Sequence, residues 1–192
     1  MKRFQKKDIF TIPNIISYVR ILLIPVFCII YMQGDADNPV YYYIAAGVVL
    51  FSSFTDLFDG MIARKFNMVT ELGKVLDPVA DKLTHAALAF CIATKHPWMW
   101  ALIALMVVKE GYMAIMGLKY LKKGKMLDGA KWFGKVCTAI LFVGMLVLFL
   151  FYNIPELAAN IIIGVMMLAM AITFIKYIQV YRNIKINGFE EK

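Results

Sequence analysis

Four aspartates within one short stretch of this chain are the residues most able to do chemistry. Asp56 and Asp59 stand three apart, and Asp77 and Asp81 stand four apart. On a helix either spacing puts both carboxylates on one face. The sequence around them is otherwise apolar enough to lie in lipid, where a carboxylate is costly and needs a partner. Four of them close together repel unless cations bind, and oxygen-only ligands favour hard cations such as Mg²⁺ or Mn²⁺. Two divalent ions would neutralise the four charges and leave capacity for a diphosphate, which paired metals can orient for phosphoryl transfer. Gly60 and Arg64 stand between the pairs. A glycine lets a ligand approach the helix backbone, and a guanidinium forks onto phosphate oxygens.

The elements that must position these residues are membrane helices. The chain has 192 residues, 61% of them hydrophobic, with mean hydropathy +0.70. That composition is too apolar for an ordinary soluble domain, and the length suits one domain over 1–192. The apolar runs predict an all-α integral membrane protein of six spans, roughly 13–32, 41–62, 79–95, 97–118, 133–152 and 157–178. A short amphipathic segment precedes them, with Phe4, Ile9 and Phe10 set among lysines. A signal peptide is the other reading of that start; the long apolar stretch without a clear small-residue cleavage site favours a retained first span.

The net charge of +8 is unevenly placed. Lys2, Arg3, Lys6 and Lys7 precede span one, and Arg64, Lys65 and Lys74 lie between spans two and three. Lys119, Lys122, Lys123, Lys125, Lys131 and Lys135 lie between spans four and five, and Arg182, Lys185 and Lys192 follow span six. The opposite connections carry Lys95 with Asp35, Asp37 and Glu156. This asymmetry predicts a multi-pass protein of the cytoplasmic membrane with both termini and the aspartates on the cytoplasmic side. Topology and anionic headgroups account for the basic charge without nucleic acid. Tyr41-Tyr42-Tyr43, Trp98 and Trp100 read as interfacial belt residues. Cys28, Cys91 and Cys137 all fall in spans, without metal-like spacing, and are expected to pack as apolar residues. His85 is expected to pack or hydrogen-bond, and His96 lies on the outer side; neither is expected to be a ligand.

Single residues of the aspartate stretch have bland readings. Asp77 followed by Pro78 reads as a helix N-cap with proline in the first turn. Asp56 reads as a helix-end charge reaching water, and Arg64 as an ordinary positive-inside residue. None of these accounts for the whole pattern Asp-x2-Asp-Gly-x2-Ala-Arg-x8-Gly-x3-Asp-x3-Asp, which runs through Asp56, Asp59, Gly60, Ala63, Arg64, Gly73, Asp77 and Asp81. The pattern resembles, without departure, the signature of the CDP-alcohol phosphotransferases, and the six-span layout is similar to theirs. The resemblance implies an enzyme that displaces CMP from a CDP-linked donor with an acceptor hydroxyl and divalent metal. It implies that Asp56, Asp59 and Asp77 bind one ion, that Asp56, Asp77 and Asp81 bind a second, and that Asp81 is also the general base. It implies that Gly60, Arg64 and Thr70 hold the CDP moiety, that the segment from Asn14 to Ser17 lines the donor site, and that the enzyme is a homodimer.

Ile-Pro-Asn-Ile-Ile-Ser-x2-Arg at the start of span one, and the run from Leu72 to Lys82, resemble the branch of the family that joins CDP-diacylglycerol to sn-glycerol 3-phosphate. A phosphomonoester acceptor needs cations, and Arg20, Lys109, Lys131, Lys135 and Arg182 are the candidates. The branch often has Arg-Glu in span four, where this chain has Lys109-Glu110, and Gly-Lys-x-Lys-Thr before span five, where it has Gly134-Lys135-Val136-Cys137-Thr138. A related branch with phosphatidylglycerol as acceptor, forming cardiolipin, is the alternative. A cation transporter or channel using the same carboxylates is the alternative outside the class. It would need polar residues across the membrane, and the outer halves of spans two and three are apolar.

Overall fold

A computed structural model describes residues 11–35, 37–65, 70, 72–122, 131–151 and 153–187, with the side chains of 12–13, 56–65, 74–75 and 184–187 outside the description. Six α-helices follow in order: α1 Ile12–Met32, α2 Val40–Lys65, α3 Gly73–Ala93, α4 Met99–Leu121, α5 Trp132–Leu150 and α6 Glu156–Asn187. No strand occurs among the described residues. In that set, α1, α4, α5 and α6 are each long and apolar enough to cross a membrane, and the described apolar part of α2 is the shorter Val40–Thr55. The amphipathic segment expected over 1–12 lies almost wholly outside the described residues.

The chain divides into two compact units. The first runs to Ile92 and takes in Phe149 and the residues just after it. Here α1 packs along α2, where Ala45, Ala46 and Val49 are fully buried. Small side chains at such a contact let two helices approach closely. Tyr31 meets Tyr42 edge-on at 5.0 Å and stacks on Phe149 at 4.4 Å. The turn from α1 to α2 is built from local hydrogen bonds. Asp35 Oδ1 accepts from the backbone N–H of Asp37 and of Asn38, an Asx turn. The Tyr42 hydroxyl donates to the carbonyl of Gly34, and a Cβ on Gly34 would lie 2.6 Å from the Tyr42 ring.

Two prolines sit inside helices, Pro25 in α1 and Pro78 in α3. Each withholds one N–H from the ladder. Pro78 also corrects an expectation. The third helix begins at Gly73, six residues before the expected span, so Asp77 lies just past its first turn and is not its N-cap. The capping role falls to Thr70, whose Oγ1 accepts from the Gly73 N–H at 2.9 Å.

The second unit holds α4, α6 and α5 as far as Leu148. In it α4 packs on α6. The Tyr120 hydroxyl donates to the Tyr181 carbonyl at 3.0 Å while the two rings stack 5.6 Å apart. Tyr112 meets Phe174 and Tyr181 edge-on. The first turn of α5 meets α6 at Gly134, where a Cβ would lie 2.4 Å from the Tyr177 hydroxyl.

Candidate active site

A polar ladder joins α1 to α3. Asn14, Ser17 and Arg20 follow one another at intervals of three on α1, and they are 1%, 0% and 4% exposed. That spacing winds a narrow stripe along a helix otherwise apolar enough for lipid, so each member needs a polar partner. Asn14 Nδ2 donates to Thr70 Oγ1 at 3.1 Å, and the Ser17 hydroxyl donates to Asp77 Oδ1 at 2.6 Å. The Arg20 guanidinium donates to Asp81 Oδ1 in a salt bridge. Residue numbers of the partners rise together along both segments, so α1 and α3 run parallel. Asp77 and Asp81 are thereby anchored one turn apart, and the Asp81 side chain remains 47% exposed. His85 Nδ1 lies 2.8 Å from the Asp81 carbonyl.

Gly73 lies against the foot of this ladder. A Cβ there would sit 2.7 Å from Asn14 Oδ1 and 3.1 Å from Thr70 Oγ1. The motif's first glycine, Gly60, and with it Asp56, Asp59 and Arg64, lie in the last ten residues of α2, their side chains outside the described set. Their positions along the helix are nonetheless informative. Asp59 and Asp56 fall about 9 and 14 Å before the end of α2, and Asp77 and Asp81 about 6 and 12 Å after the start of α3, at 1.5 Å rise per residue. The two pairs therefore stand at similar distances from the connection between these helices.

The cationic candidates are divided. Arg20 is buried and closed on Asp81. The others belong to the second unit. Lys109 is largely buried, pairs with Glu110 at 2.8 Å and lies 6.0 Å from the Tyr177 ring centre. Lys131 and Lys135 flank the first turn of α5 and are exposed, as is Arg182 on α6. Lys176, which sequence reasoning did not single out, lies over Trp132 and Phe133 at 5.1 and 5.6 Å. Its signal was the aromatic pair at the head of α5, because a lysine within a lipid-crossing helix needs such a partner. The Ser17–Asp77 and Arg20–Asp81 pairs were also missed; the three-residue rhythm of polar residues in span one marks the stripe but not its partners.

Among the described residues, the other titratable side chains do not gather into a second centre. The thiols of Cys28 and Cys91 meet at 3.5 Å between α1 and α3, and Cys137 is buried. His96 lies between α3 and α4; burial and then the neighbouring Lys95 hold its imidazole below the ordinary range, with Glu156 opposing. Among the described residues no three His, Cys, Asp or Glu side chains cluster as metal ligands. The side chains of Asp56 and Asp59, the other half of the expected set, lie outside the description.

The profile of the CDP-alcohol phosphatidyltransferase family matches residues 10–176. A CDP-diacylglycerol–glycerol-3-phosphate 3-phosphatidyltransferase of Bacillus subtilis is 34% identical over 156 residues, 76% of this chain and 79% of that protein. The Escherichia coli protein of the same name is 32% identical over 140 residues, 71% of this chain and 75% of that one. A fusion protein of Schizosaccharomyces pombe, named cardiolipin synthase (CMP-forming) / mitochondrial hydrolase, is 33% identical over 122 residues, 64% of this chain and 19% of that protein. With the complete aspartate signature and a family profile that covers most of its length, this chain belongs to the CDP-alcohol phosphatidyltransferase family.

Proposed function

We propose that this chain is a phosphatidylglycerophosphate synthase. It transfers the phosphatidyl group of CDP-diacylglycerol to sn-glycerol 3-phosphate and releases CMP. The observation that carries the reading is the pair Asp77 and Asp81, one turn apart on α3 and each anchored by a donor from α1, inside the family's aspartate signature. The names of the Bacillus and Escherichia relatives support this acceptor over phosphatidylglycerol. The Schizosaccharomyces relative keeps the cardiolipin-forming reaction as the second reading.

The reaction needs an oxygen of the acceptor to form a bond to the diacylglycerol-linked phosphorus while the bond to the CMP oxygen breaks. The Asp81 carboxylate takes the hydroxyl proton as that bond forms. Ser17 and Arg20 each hold one oxygen of Asp77 and Asp81, which fixes the carboxylates before substrate arrives. Arg64 binds the phosphates of the donor, and Asn14, Ser17, Thr70 and Gly60 border the donor site. The donor set fits hard divalent cations, because Asp77 and Asp81 offer only carboxylate oxygens, from adjacent turns of one helix face. Asp56, Asp59 and Asp77 would hold one Mg²⁺ or Mn²⁺, and Asp56, Asp77 and Asp81 a second. Bound there, the ions supply charge stabilisation for the diphosphate and the leaving CMP.

The acyl chains stay in the bilayer while the diphosphate meets Asp77 and Asp81 near the cytoplasmic ends of the helices. Six spans in one domain, cytoplasmic termini and a homodimer complete the reading. The test is an acceptor panel: purified protein, CDP-diacylglycerol, Mg²⁺, and CMP release measured with each candidate alcohol. Release with glycerol 3-phosphate is the expected result. Release with phosphatidylglycerol alone assigns the second reading and leaves the aspartate chemistry intact. Cation flux in proteoliposomes without any CMP-linked lipid would instead identify a transporter.

A further inference from the structure

Arg20 was a candidate for the acceptor phosphate, yet its surroundings assign it other work. It is 4% exposed, and its guanidinium is closed on Asp81 Oδ1. A soluble phosphomonoester would have to reach a nearly covered cation and compete with a carboxylate already bound to it. Ser17 stands to Asp77 as Arg20 stands to Asp81, so the two contacts form one device repeated along α1. Asp81 is engaged a second time through its carbonyl, which His85 meets from the next turn. We infer that Arg20 is a positioning residue for Asp81: it holds Oδ1 of the half-exposed carboxylate and leaves Oδ2 to receive the acceptor's proton. The inference rests on the role of Asp81 proposed above.

A carboxylate left 47% exposed on a helix samples several rotamers unless something fixes it. Proton transfer requires one of them, and a misplacement of about 1 Å at such a site costs on the order of a hundredfold in rate. Arg20 supplies the restraint from the buried side of the ladder. Its planar fork fixes direction as well as charge, which an ammonium does not.

The experiment is a double-mutant cycle of Arg20→Met with Asp81→Asn, with Arg20→Lys alongside, on full-length protein in detergent. Arg20→Met should lower kcat by roughly 30-fold or more, with KM for either substrate changed by less than about threefold. Arg20→Lys should recover part of kcat. The double variant should be about as slow as Asp81→Asn alone, because the two residues act as a unit. Mn²⁺ binding, followed by paramagnetic resonance without substrate, should be as tight as in the parent or tighter, because a cation beside a carboxylate ligand has been removed. An acceptor KM raised about tenfold with kcat retained would put Arg20 on the acceptor phosphate and overturn the inference. Additive losses in the cycle would overturn it too. So would weaker Mn²⁺ binding with a lowered unfolding temperature in both Arg20 variants, which marks a scaffold role alone. The parent protein is assayed first on the acceptor panel, and the cycle uses whichever acceptor releases CMP. Failure with glycerol 3-phosphate therefore counts against the proposed function and not against Arg20.

Discussion

Asp77 and Asp81 are chemically alike and are held by unlike donors. A hydroxyl dipole on Asp77 leaves its full negative charge for a metal ion, whereas the guanidinium on Asp81 offsets part of that charge. This separates their expected roles. Asp77→Asn should lose at least about two orders of magnitude in CMP release, and chelation should abolish release until divalent ion returns, because each removes charge stabilisation at the diphosphate. Near-normal release from the Asp77 variant would sink the metal assignment. Asp81→Asn should slow turnover far more than it raises the donor KM, since the donor gives up no proton. An Asp81 variant with intact turnover and a raised donor KM would mark a donor-binding residue instead. Lys135 tests the other substrate. It is exposed on the first turn of α5, directly after the close contact of Gly134 with Tyr177. Lys135→Ala should raise KM for glycerol 3-phosphate strongly and that for CDP-diacylglycerol little. A lysine acting only through surface charge would shift both modestly and fall silent at high salt.

At the scale of elements, α1 is less a hydrophobic anchor than the inner support of α3. Its stripe of Asn14, Ser17 and Arg20 is as buried as the apolar core around it, which lipid-facing polar side chains could not be. Gly73→Ala tests this coupling. The added methyl would press on the Asn14 amide and the Thr70 hydroxyl, and relief requires the foot of the ladder to open. Overpacking of this kind costs about 1–3 kcal/mol. The variant should unfold at a lower temperature in detergent and bind donor more weakly, while Gly47→Ala, where a Cβ meets nothing, should do neither. Equal behaviour of the two variants would mean that α1 and α3 are not joined through this contact. The helices themselves were legible in the sequence, because long apolar runs have few alternatives. Their ends were less so. The start of α3 was placed late, since Gly73, Lys74 and Asp77 read as polar connection, and the capping function of Thr70 depends on an amide three residues on that no hydropathy window registers. The candidate site was legible in the sequence only as a spacing of aspartates, of which the described side chains are Asp77 and Asp81. Which donor holds which carboxylate was not, because Ser17 and Asp77 are sixty positions apart and only the packing of α1 on α3 joins them.

At the scale of the whole molecule, the six helices differ in length in a way that bears on orientation. Most match a hydrocarbon core of about 30 Å, but α6, with 32 residues, runs to roughly 48 Å. Its C-terminal part carries Arg182 and Lys185, and the expected alternation of spans assigns them to the side of the basic connections. The turns between α1 and α2 and between α5 and α6 are short and poor in cations, and the first is closed by Asp35. Inverting the molecule would put nearly all the basic connections on the outer surface, against the bias that governs insertion. It would also separate Asp77 and Asp81 from a soluble cytoplasmic acceptor. Single cysteines report which orientation holds, in a background where Cys28, Cys91 and Cys137 are replaced. Asn38→Cys and Asn153→Cys, both exposed in the short turns, should react with a membrane-impermeant maleimide on intact cells. Lys122→Cys, exposed at the end of α4, should react only after the membrane is opened. The reverse pattern would turn the aspartates outward and remove glycerol 3-phosphate as the acceptor. Labelling of Asn38→Cys and Lys122→Cys from the same side would break the alternation of helices somewhere between α2 and α4.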